Sequence, residues 1–445
     1  MPKRPQRHRH LLTLGVGLAV LAGCQTPPAG VTTPGAAPYP ASGQELVVKF
    51  RPGSSEAERE ALRARYGVSG TDALKPGTER WRLQSQSPEA AVQALLREGA
   101  IAYAQPNYLR HTQAYQSGGT PPTTQWYLRP DRGIDVGTAW SKSQVTPPGK
   151  DVVVAVVDTG VDTSHPDLNA NIVSGTDVGG KKFIDEVGDG PDGTDKDFRL
   201  KDGNGHGTHV AGILAGNGTV VGVAPGAKIL PVKVMRADGN GDDFTIAKGF
   251  KAAIDAGADI INFSVGGPAP SPVLAEAIAD GIAKGKTFII ASGNDHTKVY
   301  YPAAYTGVIA VGATATNTSV ATYSNYGPEQ AVVAPGGDSS SDPARGIYST
   351  LPTYPYFLSI NYGKSEKYGV QSGTSMATPV VSGVAALIVA DAKARGQSLS
   401  PAQVRARLVA SAKPLNGGFN EDAGFGLVQP EAALIGTSHD GATTP

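Results

Sequence analysis

The segment "DGNGHGTHVAG", from Asp202 to Gly212, contains two histidines, His206 and His209, three residues apart among glycines. Imidazole is the side chain best suited to moving protons or binding metals near neutral pH. A zinc site would need further ligands, and the chain has one cysteine, Cys24, and no HExxH segment. The pattern leaves two interpretations: a helix start with incidental imidazoles, or one half of a catalytic site.

Two more side chains could complete such a site. Asp158 ends "DVVVAVVD", a β-branched run typical of a strand buried on both faces of a parallel sheet. Active sites of open α/β sheets lie at the carboxyl ends of such strands. Ser375 opens an apolar segment predicted to be helical to about Arg395, where backbone N–H groups and the helix dipole lie near its oxygen. Taken singly, each residue is more often only a cap.

The elements that would position these residues alternate between two patterns from about residue 125 onward. Strand-like segments are "KILPVKVM", "ADIINFSVGG", "KTFIIASGN" and "GVIAVGAT", and helical patterns such as "TIAKGFKAAIDAG" and "SPVLAEAIADGIAKG" lie between them. This alternation is typical of βαβ units. It predicts an α/β fold with a doubly wound, mostly parallel sheet.

The N-terminal part has a different texture. Residues 1–24 combine a basic start with an apolar run that is short for a permanent membrane span, which predicts a signal peptide. Residues 25–44 are rich in Pro, Ala, Gly and Thr and predict a flexible tether. A β-α-β-α-β pattern over 45–112 is compatible with a small ferredoxin-like α+β domain.

Charge and cysteine content exclude some functions. The net charge is about +4 in residues 1–44, about +2 in 45–114 and about −6 in the rest of the 445 residues. An acidic balance in the largest part argues against a nucleic-acid surface there. A single cysteine excludes a disulfide within the chain.

Four segments, "DTGVDTSHPDL", "GHGTHVAG", "ASGN" and "GTSMATP", match in order the signature segments of the subtilisin-like serine proteases. The resemblance covers roughly residues 125–435, and the unit at 45–112 resembles the family's inhibitory propeptide. It implies a subtilisin-like peptidase domain over 113–435, a flexible tail over 436–445 and the activity of a serine endopeptidase.

The resemblance also assigns roles to residues. Ser375 would be the nucleophile, His206 the general base and Asp158 the group that orients the imidazole. Asn294, in "ASGN", would donate its side-chain amide to the oxyanion together with the Ser375 N–H. His209 is expected to be a packing or hydrogen-bonding residue.

Two segments match those that pair with the substrate backbone as added strands. They contribute Gly239, Asn240 and Gly241 from "DGNG", and Ser264, Val265 and Gly266 from "FSVGG". Tyr300 stands where the family often has glycine, beneath the pocket for the residue before the cut. An inward ring would make that pocket shallow, whereas an outward ring would preserve a broad apolar preference.

Structural calcium is a further expectation from the resemblance, and no catalytic metal is expected. Asp167 matches a family calcium ligand and Gln125 could match another, although the ligand loop "GNGTVVGVAP" is about three residues shorter, so the site could be absent or rebuilt. The acidic, glycine-rich insertion at 183–203 is either a second calcium loop or a solvated one.

The propeptide implies an autoprocessed zymogen in which this unit acts as intramolecular chaperone and inhibitor, with cleavage within 111–124. "LAGC" resembles the bacterial lipobox, so Cys24 is a candidate for lipidation. Because Cys24 lies on the propeptide side of the cut, maturation would release a membrane-held protease from the cell envelope.

Three alternatives stay open. One is an inactive or restricted envelope lipoprotein with a protease fold, against which the four reactive residues weigh. The serine-carboxyl peptidases use Glu in place of His206 and Asp at the oxyanion position, so the sequence disagrees at both. A regulatory protease with one partner substrate is also compatible with the composition.

Overall fold

The fold is that of a computed structural model, which describes residues 41–112, 115–116, 125–188, 195–339 and 342–436. The predicted signal peptide with Cys24, the tether up to residue 40 and the tail from 437 lie outside this part. Residues 113–114 and 117–124, within the predicted cleavage region, lie outside it as well.

The N-terminal subdomain, residues 41–112, is a four-stranded antiparallel sheet with two helices. Its elements are β1 (Ala41–Phe50), α1 (Glu56–Arg65), β2 (Val68–Lys75), β3 (Thr78–Leu83), α2 (Pro88–Leu95) and β4 (Ile101–Thr112). The strand order β2-β3-β1-β4 and the βαββαβ sequence are those of a ferredoxin-like sandwich. The predicted fold class of this unit is confirmed.

Two local expectations for this subdomain were wrong. The strand β2 was missed because "VSGTDALK" carries Gly and Asp and lies at the sheet edge, where burial imposes little apolar alternation. Strand β1 begins at Ala41, inside the segment predicted as tether. The hydrophobic core of the N-terminal subdomain contains Leu46, Trp81 and Leu95, all fully buried.

The C-terminal subdomain, residues 125–436, is built on a seven-stranded parallel sheet. Its strands and those around it are β5 (Tyr115–Gln116), β6 (Val153–Asp158), β7 (Ser174–Val178), β8 (Ile184–Asp185), β9 (Lys228–Lys233), β10 (Asn240–Asp242), β11 (Ile260–Phe263), β12 (Val265–Gly266), β13 (Thr287–Ala291), β14 (Ile309–Thr314), β15 (Gln330–Pro335), β16 (Ile347–Thr350) and β17 (Tyr368–Ser372). The order β15-β14-β13-β11-β6-β9-β8 is parallel at every pair.

Helices cover both faces of this sheet. They are α3 (Val136–Lys142), α4 (His206–Ala215), α5 (Asp243–Asp255), α6 (Pro272–Ala283), α7 (Phe357–Tyr362), α8 (Thr374–Ala394), α9 (Pro401–Ser411) and α10 (Pro430–Ile435). Alternate residues of β6 point to opposite sides: Val154 packs in a core with α4 and α8, and Ala155 in a core with α5 and α6. The doubly wound sheet is therefore confirmed.

The helix α8 ends within one residue of its predicted limit, Arg395. Among the described residues it is the one helix long and apolar enough to cross a membrane, but 94% of its apolar window is buried inside the fold. It is the central core helix, and it carries Ser375 near its first turn.

Candidate active site

The sheet brings three strand ends to one edge. Asp158 is the last residue of β6. The neighbouring strand β11 has Asn262 opposite Val156 and ends at Phe263, directly before Ser264. On the other side of β11, β13 ends three residues before Asn294. The parallel arrangement therefore gathers these side chains at the carboxyl edge, as the sequence predicts.

The imidazole of His206 is held by Asp158. His206 begins α4, and its Nδ1 lies 2.7 Å from Asp158 Oδ1, with both side chains buried. The backbone N–H of Thr159 donates to the same Oδ1 at 2.7 Å. Within the described part of the chain, His206 Nε2 is buried without a hydrogen-bond partner. This nitrogen is the one that a general base would use.

The glycine after His206 permits this close approach. A Cβ placed on Gly207 would lie 2.0 Å from the Gly160 carbonyl oxygen and 3.1 Å from Asp158 Cβ. No side chain fits there, because α4 begins directly against the loop that follows β6. Close packing therefore explains why the second glycine of "GHG", Gly207, has no side chain.

Asp202 fixes the start of α4, a role that sequence reasoning missed. Its carboxylate accepts from the Thr208 N–H and hydroxyl (2.9 and 2.6 Å), from the Gly205 N–H (2.8 Å) and from the Thr159 hydroxyl (2.8 Å). Burial raises the pKa of Asp202, and these hydrogen bonds oppose the shift. The signal was present in "DGNG", where an Asp precedes a helix start.

The Ser375 hydroxyl donates to the Ser264 carbonyl oxygen at 2.8 Å, and the Ser264 hydroxyl donates back to the Ser375 carbonyl at 3.0 Å. The serine therefore lies at the same edge as Asp158, but its hydrogen bond goes to Ser264. Before substrate binds, catalytic hydrogen bonds are often unformed. Rotation about the serine Cα–Cβ bond changes this partner without moving α8.

Asn294 lies beside the nucleophile. Its Oδ1 accepts from both the N–H and the hydroxyl of Thr374, each at 2.9 Å, and Thr374 directly precedes Ser375. With the amide oxygen held in this way, the NH₂ group is the donor that Asn294 offers at the site.

His209 is fully buried one turn along α4. Burial, and then the nearby His206, lowers the pKa of His209 to about 3. Its imidazole is neutral at ordinary pH and packs inside the protein, which agrees with the expected non-catalytic role. Groups of three or more metal-binding side chains are absent from the described residues.

We expect His209 to make folding sensitive to acid. The unfolded chain protonates this imidazole below about pH 6.5 and the folded chain does not, so the free energy of unfolding falls by up to about 1.4 kcal/mol per pH unit down to about pH 3. Urea unfolding of a Ser375→Ala background at pH 7, 6 and 5 measures this slope. A His209→Leu variant should show a shallower slope, and equal slopes would contradict the prediction.

The last residues of β4 lie between two strands of the C-terminal subdomain. Leu109, Arg110 and His111 pair antiparallel with β10, and His111 and Thr112 pair with β12. The Thr112 N–H also donates to the Gly239 carbonyl at 3.2 Å. The segments predicted to bind substrate backbone, containing Gly239, Asn240, Gly241, Val265 and Gly266, thus hold an added strand, and Ser264 joins them to Ser375.

Tyr300 lies between the two walls of the predicted pocket. An ideal Cβ built on Gly266 would lie 3.4 Å from Tyr300 Cβ. One built on Gly293 would lie 2.8 Å from the Tyr300 ring. Its hydroxyl donates to Asp295 Oδ2 at 2.8 Å. The ring therefore lies beside β12 and the end of β13 with its hydroxyl at the exposed surface, and the depth of the predicted pocket stays a prediction.

The two predicted calcium ligands meet at one loop but bind N–H groups. Asp167 Oδ2 accepts from the Val220 N–H (2.8 Å), and Gln125 Oε1 accepts from the Val221 N–H (2.9 Å). The Tyr368 hydroxyl donates to the other oxygen of Asp167. Each of these oxygens already accepts one hydrogen bond, which favours the alternative of a site that is absent or rebuilt, and calcium binding by Asp167 and Gln125 stays a prediction.

Two carboxylates of the acidic insertion, Asp185 and Asp195, have partners within the protein. Asp185 accepts from three backbone N–H groups, and Asp195 forms a fully buried ion pair with Lys233 at 3.0 Å. Residues 189–194 lie outside the described part. Calcium binding by this loop therefore stays a prediction.

Comparison with known proteins matches two families along the chain. The Subtilase family matches residues 149–426, and the fervidolysin N-terminal prodomain matches residues 26–107. The chain is 39% identical over 279 residues to the major intracellular serine protease of Bacillus subtilis, covering 60% of this chain and 78% of that protein. It is 38% identical over 306 residues to subtilisin Savinase of Lederbergia lenta, covering 66% and 97%.

A solved structure shares the arrangement of both subdomains. It is fervidolysin from Fervidobacterium pennivorans, described as a keratinolytic enzyme related to subtilisin, with a TM-score of 0.70 and 27% identity. The match covers 89% of this chain and 61% of the fervidolysin chain, so this chain spans less than two thirds of that protein. From the Subtilase match over most of its length, the chain belongs to the subtilase family and is a serine endopeptidase with an N-terminal prodomain.

Proposed function

We propose that this chain is an exported zymogen that matures itself and then cleaves peptide bonds through an acyl-enzyme. The carrying observation is the 2.7 Å contact between His206 and Asp158 at the edge where Ser375 and Asn294 also meet. Ser375 is the nucleophile, His206 the general base, Asp158 the orienting carboxylate and Asn294 an oxyanion donor.

The geometry supports the following sequence of steps. When substrate binds, the Ser375 hydroxyl leaves the Ser264 carbonyl and gives its proton to His206 Nε2 as its oxygen attacks the carbonyl carbon. The oxyanion accepts from the Asn294 NH₂ and the Ser375 N–H. His206 then protonates the leaving amine, and Asp158 stabilises the charged imidazole throughout. Water, activated by the same imidazole, releases the acyl group.

The position of the prodomain strand supports a particular maturation bond. Thr112 pairs with Val265 on one side of the site, and Tyr115 pairs with Ser372, just before the nucleophile's helix, on the other. Three peptide bonds of the sequence separate these two paired residues, Thr112 and Tyr115. Continuing the β4 register by one residue reaches Ser264, which contacts Ser375. We assign the cut to the Gln113–Ala114 bond.

The mature protease should therefore begin at Ala114. Intact mass and N-terminal sequencing of the processed enzyme check this, with a His206→Ala chain as the uncleaved control. Further cleavage at long times would remove residues from the new N-terminus, so the first cut is identified from samples taken early in the reaction. A first product that begins outside residues 113–115 would contradict the assignment.

The catalytic proposal is tested with a fluorophosphonate probe, which reacts only with an activated serine. We expect one adduct, mapped to Ser375 by peptide mass, together with casein hydrolysis. The His206→Ala chain should show neither. A folded wild-type chain that neither reacts nor hydrolyses casein would favour the inactive envelope protein instead.

Export and lipidation rest on residues 1–24. The basic start, the apolar run and the "LAGC" ending support a lipid on Cys24. Cleavage after Gln113 would separate the protease from that lipid. Labelling with a palmitate analogue and cell fractionation test this: label should stay with the prodomain while the mature enzyme becomes soluble. A mature enzyme still in the membrane after the prodomain is degraded would oppose release.

Subtilases commonly bind structural calcium, and the contacts of Asp167 support a metal-independent loop in this chain. We expect Asp167→Ala to lower stability by about 1–3 kcal/mol, because Val220 and Tyr368 lose their acceptor. The loss should be equal in EDTA and in millimolar calcium, measured by thermal unfolding of the Ser375→Ala chain. An exposed control, Asp131→Ala, should change little. A calcium-dependent loss at Asp167 would restore the ligand role.

A further inference from the structure

We infer that this protease selects arginine at the fourth residue before the cleaved bond and that Asp243 is the residue that recognises it. The inference rests on the proteolysis proposed above and adds a substrate class to it. It is carried by one ion pair between the prodomain and the cleft, Arg110 with Asp243.

The pair is buried and bidentate. Arg110 Nε lies 2.6 Å from Asp243 Oδ1 and Nη2 lies 3.0 Å from Oδ2, while Nη1 donates to the Gly267 carbonyl at 3.2 Å. Both side chains are 0% exposed. Two parallel N–H···O bonds fit the planar guanidinium fork, which lysine cannot reproduce.

The register places this arginine in the substrate strand. Arg110 pairs with Gly241 of β10, two residues before Thr112, which pairs with Val265 of β12. In the proposed maturation, the attacked residue is one step beyond Thr112 in the sequence. A substrate bound in the same register therefore puts the side chain of its fourth residue before the cut over Asp243.

The peptidase itself offers Asp243 no hydrogen-bond donor in the part of the chain that the structure describes. The side-chain donors to its carboxylate are Arg110 and Gln105, the latter at 3.2 Å, and both belong to the prodomain. When the prodomain leaves, this carboxylate remains in the cleft without those partners. A carboxylate so placed binds an arriving cation better than a neutral side chain.

Two neighbours sharpen the selection. Asp243 is the first residue of α5, where the helix dipole favours the ionised carboxylate. A Cβ on Gly267 would lie 3.1 Å from Arg110 Nη1, so the glycine leaves room for the guanidinium.

The test uses fluorogenic peptides built on the chain's own "RHTQAY", with Arg, Lys, Ala or Glu at the first position and the processed wild-type enzyme. We expect kcat/KM for Arg to exceed that for Ala by about 10- to 100-fold, as charged hydrogen bonds of this kind are worth. Lys should be intermediate and Glu poorest. Cleavage of the Ala peptide by the wild type, absent from Ser375→Ala, tests proteolysis separately.

Two variants test whether Asp243 is the cause. In Asp243→Asn the Arg-to-Ala ratio should fall to about 1–3, whereas Asp255→Asn, the same charge change at the far end of α5, should keep it. If Asp243→Asn does not mature, the pair Arg110→Gln with Asp243→Asn removes both charges together and serves the same comparison. Equal rates for the Arg and Ala peptides, or a ratio that survives loss of Asp243, would overturn the inference while leaving the proteolysis intact.

Discussion

Ser375→Ala is expected to abolish two activities at once. The chain should accumulate as an uncleaved precursor, and peptide hydrolysis should fall by about 10⁶-fold, the loss that removal of the nucleophile causes in subtilisin. The reason is that, in the proposed mechanism, maturation and hydrolysis share one nucleophile. That nucleophile is the Ser375 hydroxyl, which donates to the Ser264 carbonyl at 2.8 Å.

The control must separate chemistry from folding. Ser382→Ala removes another buried hydroxyl of α8, one that donates to Asn262 Oδ1 at 2.9 Å, and should still mature. The Ser375→Ala precursor should in turn be cut when mixed with active enzyme, which shows that its cleavage site is intact. Self-maturation of purified Ser375→Ala at the wild-type rate would contradict the assignment of the nucleophile.

The sequence was most informative where the local residue pattern by itself indicates the element of the fold. The β-branched run before Asp158 is typical of a buried parallel strand, and the parallel sheet then places its end near those of β11 and β13. The apolar run after Ser375 fixed a long core helix. Single residues decided little, because Ser and Asp are common caps; the order of four motifs decided the family.

The remainder depends on contacts between distant parts of the chain. Arg110 and Asp243 are 133 residues apart, and neither segment alone indicates a buried pair. The direction of the Tyr300 ring depends on Gly293 and Asp295. Asp167 and Gln125 each accept one N–H from a loop whose length, but not course, could be predicted. Such facts follow from packing, which no local periodicity encodes.

Asp158→Asn is expected to cause the second large loss of activity. The hydrogen bonds of Asp158 make this substitution a test of its charge alone. The donors Thr159 N–H and His206 Nδ1 both point at Oδ1, each at 2.7 Å. An asparagine can keep its carbonyl oxygen there and so keep the imidazole orientation and tautomer. Among the described residues Oδ2 has no hydrogen-bond partner, so an NH₂ group meets no opposing donor.

Since the geometry survives, the lost activity measures the stabilisation of charged His206 by the buried carboxylate. We expect kcat/KM to fall by about 10⁴-fold, close to the loss in subtilisin, with KM and the thermal midpoint little changed, because the substrate strands and the α4 start are untouched. Asp162→Asn is the matched control: it is a buried neighbour that bonds Ser164 and Thr353 instead. Equal losses of kcat/KM in Asp158→Asn and Asp162→Asn would contradict the prediction. They would mean that Asp158 supports the fold and does not stabilise the charged imidazole.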